Sequence, residues 1–296
     1  MVEDYPNNLM EFNRRFSKEK SCQEYLEQLR WPDGFICPSC QTSRAWKTKR
    51  GTFFCHKCHR QTSVTAGTIF EGSKKPLTLW FAAMWLVVCE KNGISAMGLQ
   101  RQLGLSRYET AWSILQKLRT AMVRPGREFL SGEVEVDETF VGGFKSGKRG
   151  RGAEGKELVV IAAEVKGQKL GRLRMKRIPN AKGKTLKRFV RDHVARGSTV
   201  ITDGWKPYLG IDKLGYQHQR VKSKSVEKDE LLPHIHLAAS LLKRWLLGTH
   251  QGGVDTVHLD GYLDEFVFRF NRRTSKSRGK LFYRLVQQAV QVQAST

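Results

Sequence analysis

Two cysteine pairs constrain this chain most tightly. Cys37-Pro-Ser-Cys40 and Cys55-His-Lys-Cys58 stand 14 residues apart. Thiolates at i and i+3 on a tight knuckle reach one tetrahedral ion, and a second knuckle completes its shell. The spacing therefore predicts a four-cysteine zinc ribbon over residues 31–66, with structural Zn²⁺ on Cys37, Cys40, Cys55 and Cys58 and a hairpin turning at Arg50-Gly51. Such a module is too small to fold on its own core, so the metal holds it together. Its basic residues, Lys47 and Arg50 among them, offer a surface for DNA.

The cysteines also bear on compartment. Only Cys22 and Cys89 remain outside the two pairs, each within a helical pattern, which is not a secreted disulfide framework and points to a reducing cytoplasm. The most apolar run, Leu77 to Cys89, has 13 residues, against the roughly 20 that a bilayer requires. No signal peptide is evident in the opening Met-Val-Glu-Asp-Tyr-Pro, so no membrane role is expected. The net charge of +24 over 296 residues makes a polyanion, nucleic acid, the expected partner. RNA fits the charge alone, but no single-strand stacking module is evident.

Around the ribbon the expected organisation is α/β and multidomain. Residues 1–30 read as an N-terminal helix, capped by Asn8 and striped by Met10, Phe12, Phe16, Tyr25, Leu26 and Leu29. Residues 67–125 read as helical, with a core helix from Pro76 to about Lys91. A helix-turn-helix pattern follows from Ser95, in which Gly104 ends one helix and Ser106 caps the next. Its second helix would present Arg107, Tyr108 and Glu109 to base edges, and an ordinary helical hairpin is the alternative that gives a similar pattern.

From residue 131 the pattern changes to strands at 133–141, 157–165, 170–178, 198–202 and about 216–221, with a helix near 183–196. That is a mixed-sheet domain, taken here as 131–290. Two carboxylates each follow a β-branched alternation and read as delivered by strands: Asp137 in Glu133-Val-Glu-Val-Asp-Glu and Asp203 in Thr199-Val-Ile-Thr-Asp-Gly. Carboxylates brought together from separate elements are what a divalent-metal phosphoryl-transfer site needs. The basic glycine-rich stretch Gly142 to Gly152 lacks Walker spacing and reads as a DNA-facing loop. Lys222 to Glu230 read as a polar link. Beyond it His236 and Lys243, seven apart, share one face of a helix. Arg269, Arg272, Arg273, Lys276, Arg278 and Lys280 form the densest cationic stretch.

With these residues laid out, the chain resembles the IS1595-type (ISXO2-like) insertion-sequence transposases over nearly its full length. The marks are the paired cysteines, Glu135-Val-Asp-Glu-Thr-Phe-Val-Gly-Gly, Thr202-Asp-Gly-Trp-Lys-Pro-Tyr, Leu242-Lys-Arg and Tyr262-Leu-Asp-Glu-Phe-Val-Phe-Arg-Phe-Asn-Arg-Arg. The resemblance implies an RNase H-like catalytic domain, ribbon and helix-turn-helix DNA binding, and two catalytic Mg²⁺ or Mn²⁺ ions. It further implies recognition of terminal inverted repeats, joining of a 3′-hydroxyl to target DNA, and a homo-oligomer that pairs two ends in a bacterial cytoplasm. Asp137 and Asp203 match the first two acidic positions. The third, seven before Lys243, is His236, so the catalytic set reads Asp137, Asp203, His236 and Lys243. The departure leaves two roles for the imidazoles, metal ligand at His236 or hydrogen bonding within the fold at His236 or His234. Glu265, in the family-like Tyr-Leu-Asp-Glu-Phe segment, is another candidate third acid, with a surface or salt-bridge role as the favoured alternative. Two other classes stand beside the transposase: a DNA-binding regulator with a decayed site, and a nuclease without strand transfer. DNA contacts are expected at Arg107, Tyr108, Lys47, Arg50, Arg272 and Arg273.

Overall fold

The structure is a computed structural model, and it describes residues 3–124, 126–142, 156–221, 231–252 and 255–292. The glycine-rich loop after Gly142 and the link from Lys222 to Glu230 lie outside the described residues. The chain divides into two compact units, residues 1–124 with 274–296, and residues 125–273. No helix among the described residues is long and apolar enough to cross a membrane.

The first unit is built on aromatic packing. The expected N-terminal helix is two helices, α1 (Leu9–Arg15) and α2 (Glu19–Arg30). The break at Phe16 to Lys18 lets Phe12, Phe16 and Tyr25 turn inward together. All three meet Phe282, whose ring lies 5.3, 5.6 and 6.4 Å from theirs. Phe282 belongs to the C-terminal helix α9 (Arg278–Ala289), so the last helix completes this unit rather than the strand-rich region expected to run to residue 290. Close approach there requires glycine: a Cβ on Gly279 would sit 1.7 Å from the carbonyl oxygen of Pro6.

Between these helices lie the ribbon strands β1 (Ala45–Lys47), β2 (Phe53–Cys55) and β3 (Gln61–Thr62), paired antiparallel in that order. Helix α3 (Leu77–Cys89) buries Trp80, Phe81, Met84, Trp85 and Val88, as a helix apolar on most sides must. Pro76 cannot cap it, and Glu19 does so instead, its carboxylate accepting from Leu77 N at 2.8 Å and Thr78 N at 3.1 Å. Helices α4 (Ala96–Leu103) and α5 (Tyr108–Ala121) follow, joined by a turn in which Gly104 takes φ +60.

The second unit is a five-stranded mixed sheet. In chain order its strands are β4 (Glu133–Val141), β5 (Glu157–Lys166), β6 (Lys169–Ile178), β7 (Thr199–Thr202) and β8 (Gln217–Arg220). Across the sheet they run β6-β5-β4-β7-β8. The first three form antiparallel pairs, whereas β7 lies parallel to β4 and β8 parallel to β7. Alternation along β4 sends Val134 and Val136 to the face covered by α6 (Gly183–His193). Val141, with Val159 and Ile161 of β5, faces α7 (Pro233–His250) and α8 (Leu259–Phe270).

The outer edge of β6 would expose unpaired backbone groups. The segment after α8 closes it. Leu173 N donates to Asn271 Oδ1 at 2.7 Å, and Asn271 Nδ2 returns a bond to Leu173 O at 3.1 Å. Arg273 donates to the carbonyls of Leu170 and Gly171.

Within α8, burial pushes the Asp264 carboxyl from its ordinary 3.8 up to about 7, against the opposing charge of Arg127. The unfolded chain releases this proton first, so the contribution to stability falls as pH rises from about 4 to about 7. Asp264→Asn removes that dependence. The thermal midpoint of the variant should gain on wild type between pH 5 and pH 8, by on the order of 5 °C; a constant difference between the two proteins contradicts the assignment.

Candidate functional site

The site in the second unit starts from strand parity. On β4, Glu135 and Asp137 share the face that turns toward α7, because Val134 and Val136 occupy the opposite one. The β4–β7 ladder pairs Glu133 with Thr199, Val134 with Val200 and Glu135 with Ile201. The ladder stops there and β7 ends at Thr202, so Asp203 lies just past the strand, at the position that the same register carried two residues further would set beside Asp137. Ile201 packs into the α7 side of the core, the side to which strand alternation, carried past Thr202, assigns Asp203.

The turn after β7 fixes Asp203. Its Oδ1 accepts from Trp205 N at 2.9 Å, and Gly204 between them takes φ +80, a conformation that glycine adopts without strain. The chain then winds one short turn to Tyr208, which is fully buried. Tyr208 Oη donates to Glu138 Oε2 at 2.9 Å, tying the turn back to β4 one residue past Asp137. Burial, then the negative charge of Glu138, Asp137 and Asp203, hold the Tyr208 hydroxyl well above its ordinary pKa, so it stays a donor.

Helix α7 is fastened to the same strand. Glu135, 4% exposed, accepts from His234 Nδ1 at 2.7 Å and from Ile235 N at 3.0 Å. One buried carboxylate thus satisfies an imidazole and an orphan amide of the first helical turn. Of the two imidazoles it is His234 that hydrogen-bonds within the fold. His236, on the next residue but one, is exposed. Among the described residues, Asp137, Asp203 and His236 are not gathered within ligand distance of one another; the four cysteines are. Glu265 is fully buried and paired with Arg269 Nε at 2.9 Å, an ion pair within α8.

Lys243 lies two helical turns beyond His236. It lines a cavity of about 390 Å³ with Phe140, Val141, Lys156, Arg244 and Leu246. Partial burial and then the charge of Lys156 lower its ammonium pKa. Neither Asp137, Asp203 nor His236 lines this cavity.

In the ribbon the four sulfurs lie within 4.8 Å of one another. Cys37 and Cys58 are 3.6 Å apart and Cys40 and Cys55 3.5 Å. Tetrahedral zinc at its usual distance from sulfur sets about 3.8 Å between ligands, so the four fit the ion closely. Backbone N–H groups of Cys58 and Lys57 aim at the Cys55 sulfur and draw its pKa down to about 6. That is the hydrogen bonding a thiolate ligand uses.

The expected DNA contacts fall into two groups. Arg107, Tyr108 and Arg50 are exposed, the first two at the start of α5 and the third at the ribbon turn. The others already have partners inside the fold. Lys47 pairs with Glu27 at 2.8 Å. Arg272 stacks over Phe268 at 4.1 Å, and Arg273 covers Phe270 at 3.9 Å while closing the β6 edge. Sequence reasoning passed over Glu135 and Tyr208. The signal for Glu135 was present: an acid on the covered face of a strand needs a partner.

Known proteins bear on both sites. Residues 129–271 match the ISXO2-like transposase domain, and residues 17–61 match the transposase zinc-ribbon domain. Over 290 aligned residues, 90% of this chain and 95% of the other, the sequence is 28% identical to the uncharacterized protein in transposable element ISH50 of Halobacterium salinarum.

Two outcomes follow. Purified protein should carry one zinc per chain by elemental analysis, and Cys55→Ser should lose it and melt the ribbon; full zinc content in that variant contradicts the ligand set. Glu135→Ala leaves His234 and the Ile235 amide unsatisfied and should cost about 2 kcal/mol in denaturant unfolding, whereas an unchanged midpoint removes Glu135 from the frame.

Proposed function

Because the chain belongs to the IS1595-type, ISXO2-like family of transposase-domain proteins, we propose that it cuts DNA at the terminal inverted repeats of an insertion element and joins the freed 3′-hydroxyl to target DNA. The observation that carries this reading is the parallel β4–β7 pairing, which runs from Glu133 opposite Thr199 to Glu135 opposite Ile201 and, extended by two residues, supports a place for Asp203, just past β7, beside Asp137 in the middle of β4. The strand order β6-β5-β4-β7-β8, with β5 alone antiparallel to both of its neighbours, supports an RNase H-like catalytic domain.

Asp137 and Asp203 present hard carboxylate oxygens, the donor chemistry that Mg²⁺ or Mn²⁺ prefers. Two such ions, when bound, supply Lewis acidity for an in-line displacement at phosphorus. The chain's own groups do the rest. Tyr208 and Glu138 hold the Asp203 turn against β4, and Glu135 holds the start of α7, which carries His236 at the third position. Lys243, further along the same face, binds a phosphate of the DNA strand. Arg107 and Tyr108, at the start of the second helix of a helix-turn-helix formed by α4 and α5, meet base edges, and the zinc ribbon contacts DNA beside them. Pairing two element ends calls for a homo-oligomer, acting in a bacterial cytoplasm.

A second reading, a DNA-binding protein whose site has decayed, is favoured by one observation: His236 is exposed, and among the described residues Asp137, Asp203 and His236 are not gathered within ligand distance of one another. Cleavage separates the two. With DNA from the element's own ends and Mg²⁺ or Mn²⁺, wild type should nick and join. Asp137→Ala and Asp203→Ala should each lose at least about 1,000-fold in rate while still binding ends, in line with removal of an electrostatic catalytic group. Substantial activity in both variants contradicts the site. Cutting without joining assigns a nuclease, and end binding without cutting assigns the decayed protein.

A further inference from the structure

The ribbon sheet has two faces, and only one of them is used by the core. Ala45 and Phe53 turn inward with Cys55, where Phe53 stacks on Phe35 at 4.6 Å and meets Trp31 at 5.1 Å. By alternation, Trp46 and Phe54 point the other way. They are cross-strand partners, Trp46 opposite Phe54, and their rings stack at 4.5 Å with 29° between planes. His56 stands edge-on to Trp46 at 4.6 Å, and the ring of His59 lies 5.8 Å from Phe54. Gln61 of β3 pairs with Phe54 on the far side. Trp46 nevertheless remains 47% exposed, and both histidines are exposed. This is a row of four π-faces on the outside of a small sheet, with amide and imidazole groups at hand.

Charge says what covers it. Residues 34–70 contain six Lys or Arg and no Asp or Glu. Arg44, whose carbonyl accepts from His56 N at 3.0 Å, continues the β1–β2 register onto the same face as Trp46. A second copy of this basic chain is repelled by that field, whereas a polyanion is drawn to it. The polyanion that also offers flat apolar rings is a nucleic-acid strand with its bases unstacked. Aromatic side chains spread on a sheet beside cations are a sequence-tolerant platform for such bases.

We propose that the outer face of the ribbon binds unpaired nucleobases, Trp46 and Phe54 stacking on bases of a locally opened DNA strand while Arg44 holds its phosphate. Resting on the reading above, this gives the ribbon a task distinct from duplex recognition: it captures the strand that opens at the element end. The absence of a recognisable single-strand module in the sequence is consistent with this, because Trp46, Phe54, His56 and His59 form a row only once the hairpin registers.

Full-length protein carries the test, by fluorescence anisotropy with labelled oligothymidylate and with a fully paired duplex of the element end. Trp46→Ala should weaken oligothymidylate binding about ten-fold, the loss expected when one stacking ring is removed. Trp46→Phe should restore most of it, and paired duplex binding should hold for both. The cobalt-substituted thiolate spectrum verifies that each ribbon is folded. Wild type that fails to bind oligothymidylate, or Trp46→Ala that binds it as wild type does, overturns the proposal. So does a Trp46→Ala effect confined to the sedimentation behaviour of the protein alone, which assigns the face to contact between copies. Loss of the duplex signal in wild type with oligothymidylate binding intact overturns the transposase reading and leaves the stacking face standing.

Discussion

The parallel pairing of β4 with β7 is the constraint on which the second unit depends. A parallel pair cannot be closed by a tight turn. The chain must travel through β5, β6 and α6 before β7 returns beside β4. That crossover builds the core on the α6 side of the sheet and leaves the carboxylates on the other. Slipping the pair by one residue would send Asp203 to the α6 face and break both cores at once. The burial of Val134, Val136 and Val200 on one side therefore fixes Asp137 on the other and sets the register from which the place of Asp203 is proposed. The proposed juxtaposition of Asp137 and Asp203 is a by-product of hydrophobic alternation, and the polar ties are refinements. Tyr208 bonds Glu138 and Glu135 bonds the start of α7, each locking a loop or helix to the strand already in place.

The ribbon solves a different problem. Phe35, Cys37 and Cys55, with Trp31, Ala45 and Phe53 around them, are too few to hold three short strands against chain entropy. Four thiolates on one ion supply the missing cross-links, and the outer face is thereby released from packing duty. A sheet of this size stabilised by its core alone would need both faces buried. Held by metal, it keeps Trp46 and Phe54 on the surface.

How much was legible in the sequence depends on how far apart the cooperating residues lie. The cysteine ligands are local, three residues within each pair, and their spacing carried the ribbon. The strands of the second unit announced themselves by alternation, and their observed limits fall within about two residues of those expected, the usual uncertainty of an element end. Contacts across long separations were silent. Glu135 and Ile235 are 100 residues apart, and nothing in either neighbourhood names the other. The same holds for Phe282, whose apolar helix looked like a continuation of the strand-rich region until its ring met Phe12 and Phe16. Cationic residues were the least legible. Arg272 and Arg273 sit in the densest basic stretch, yet they stack on their own helix and seal the β6 edge, because a guanidinium serves carbonyls and rings as well as phosphates.

We propose that Asp137, in the middle of β4, and Asp203, just past β7, together hold divalent metal. Affinity cleavage tests it most directly: Fe²⁺ with ascorbate replaces the bound cation and cuts the backbone beside it, and the fragments are mapped by mass spectrometry. Cuts near residues 137 and 203 that disappear with excess Mg²⁺ or Mn²⁺, and in Asp203→Ala, are the predicted result. Cleavage confined to the ribbon, or cuts that persist in the presence of competing Mg²⁺ and Mn²⁺, would contradict it.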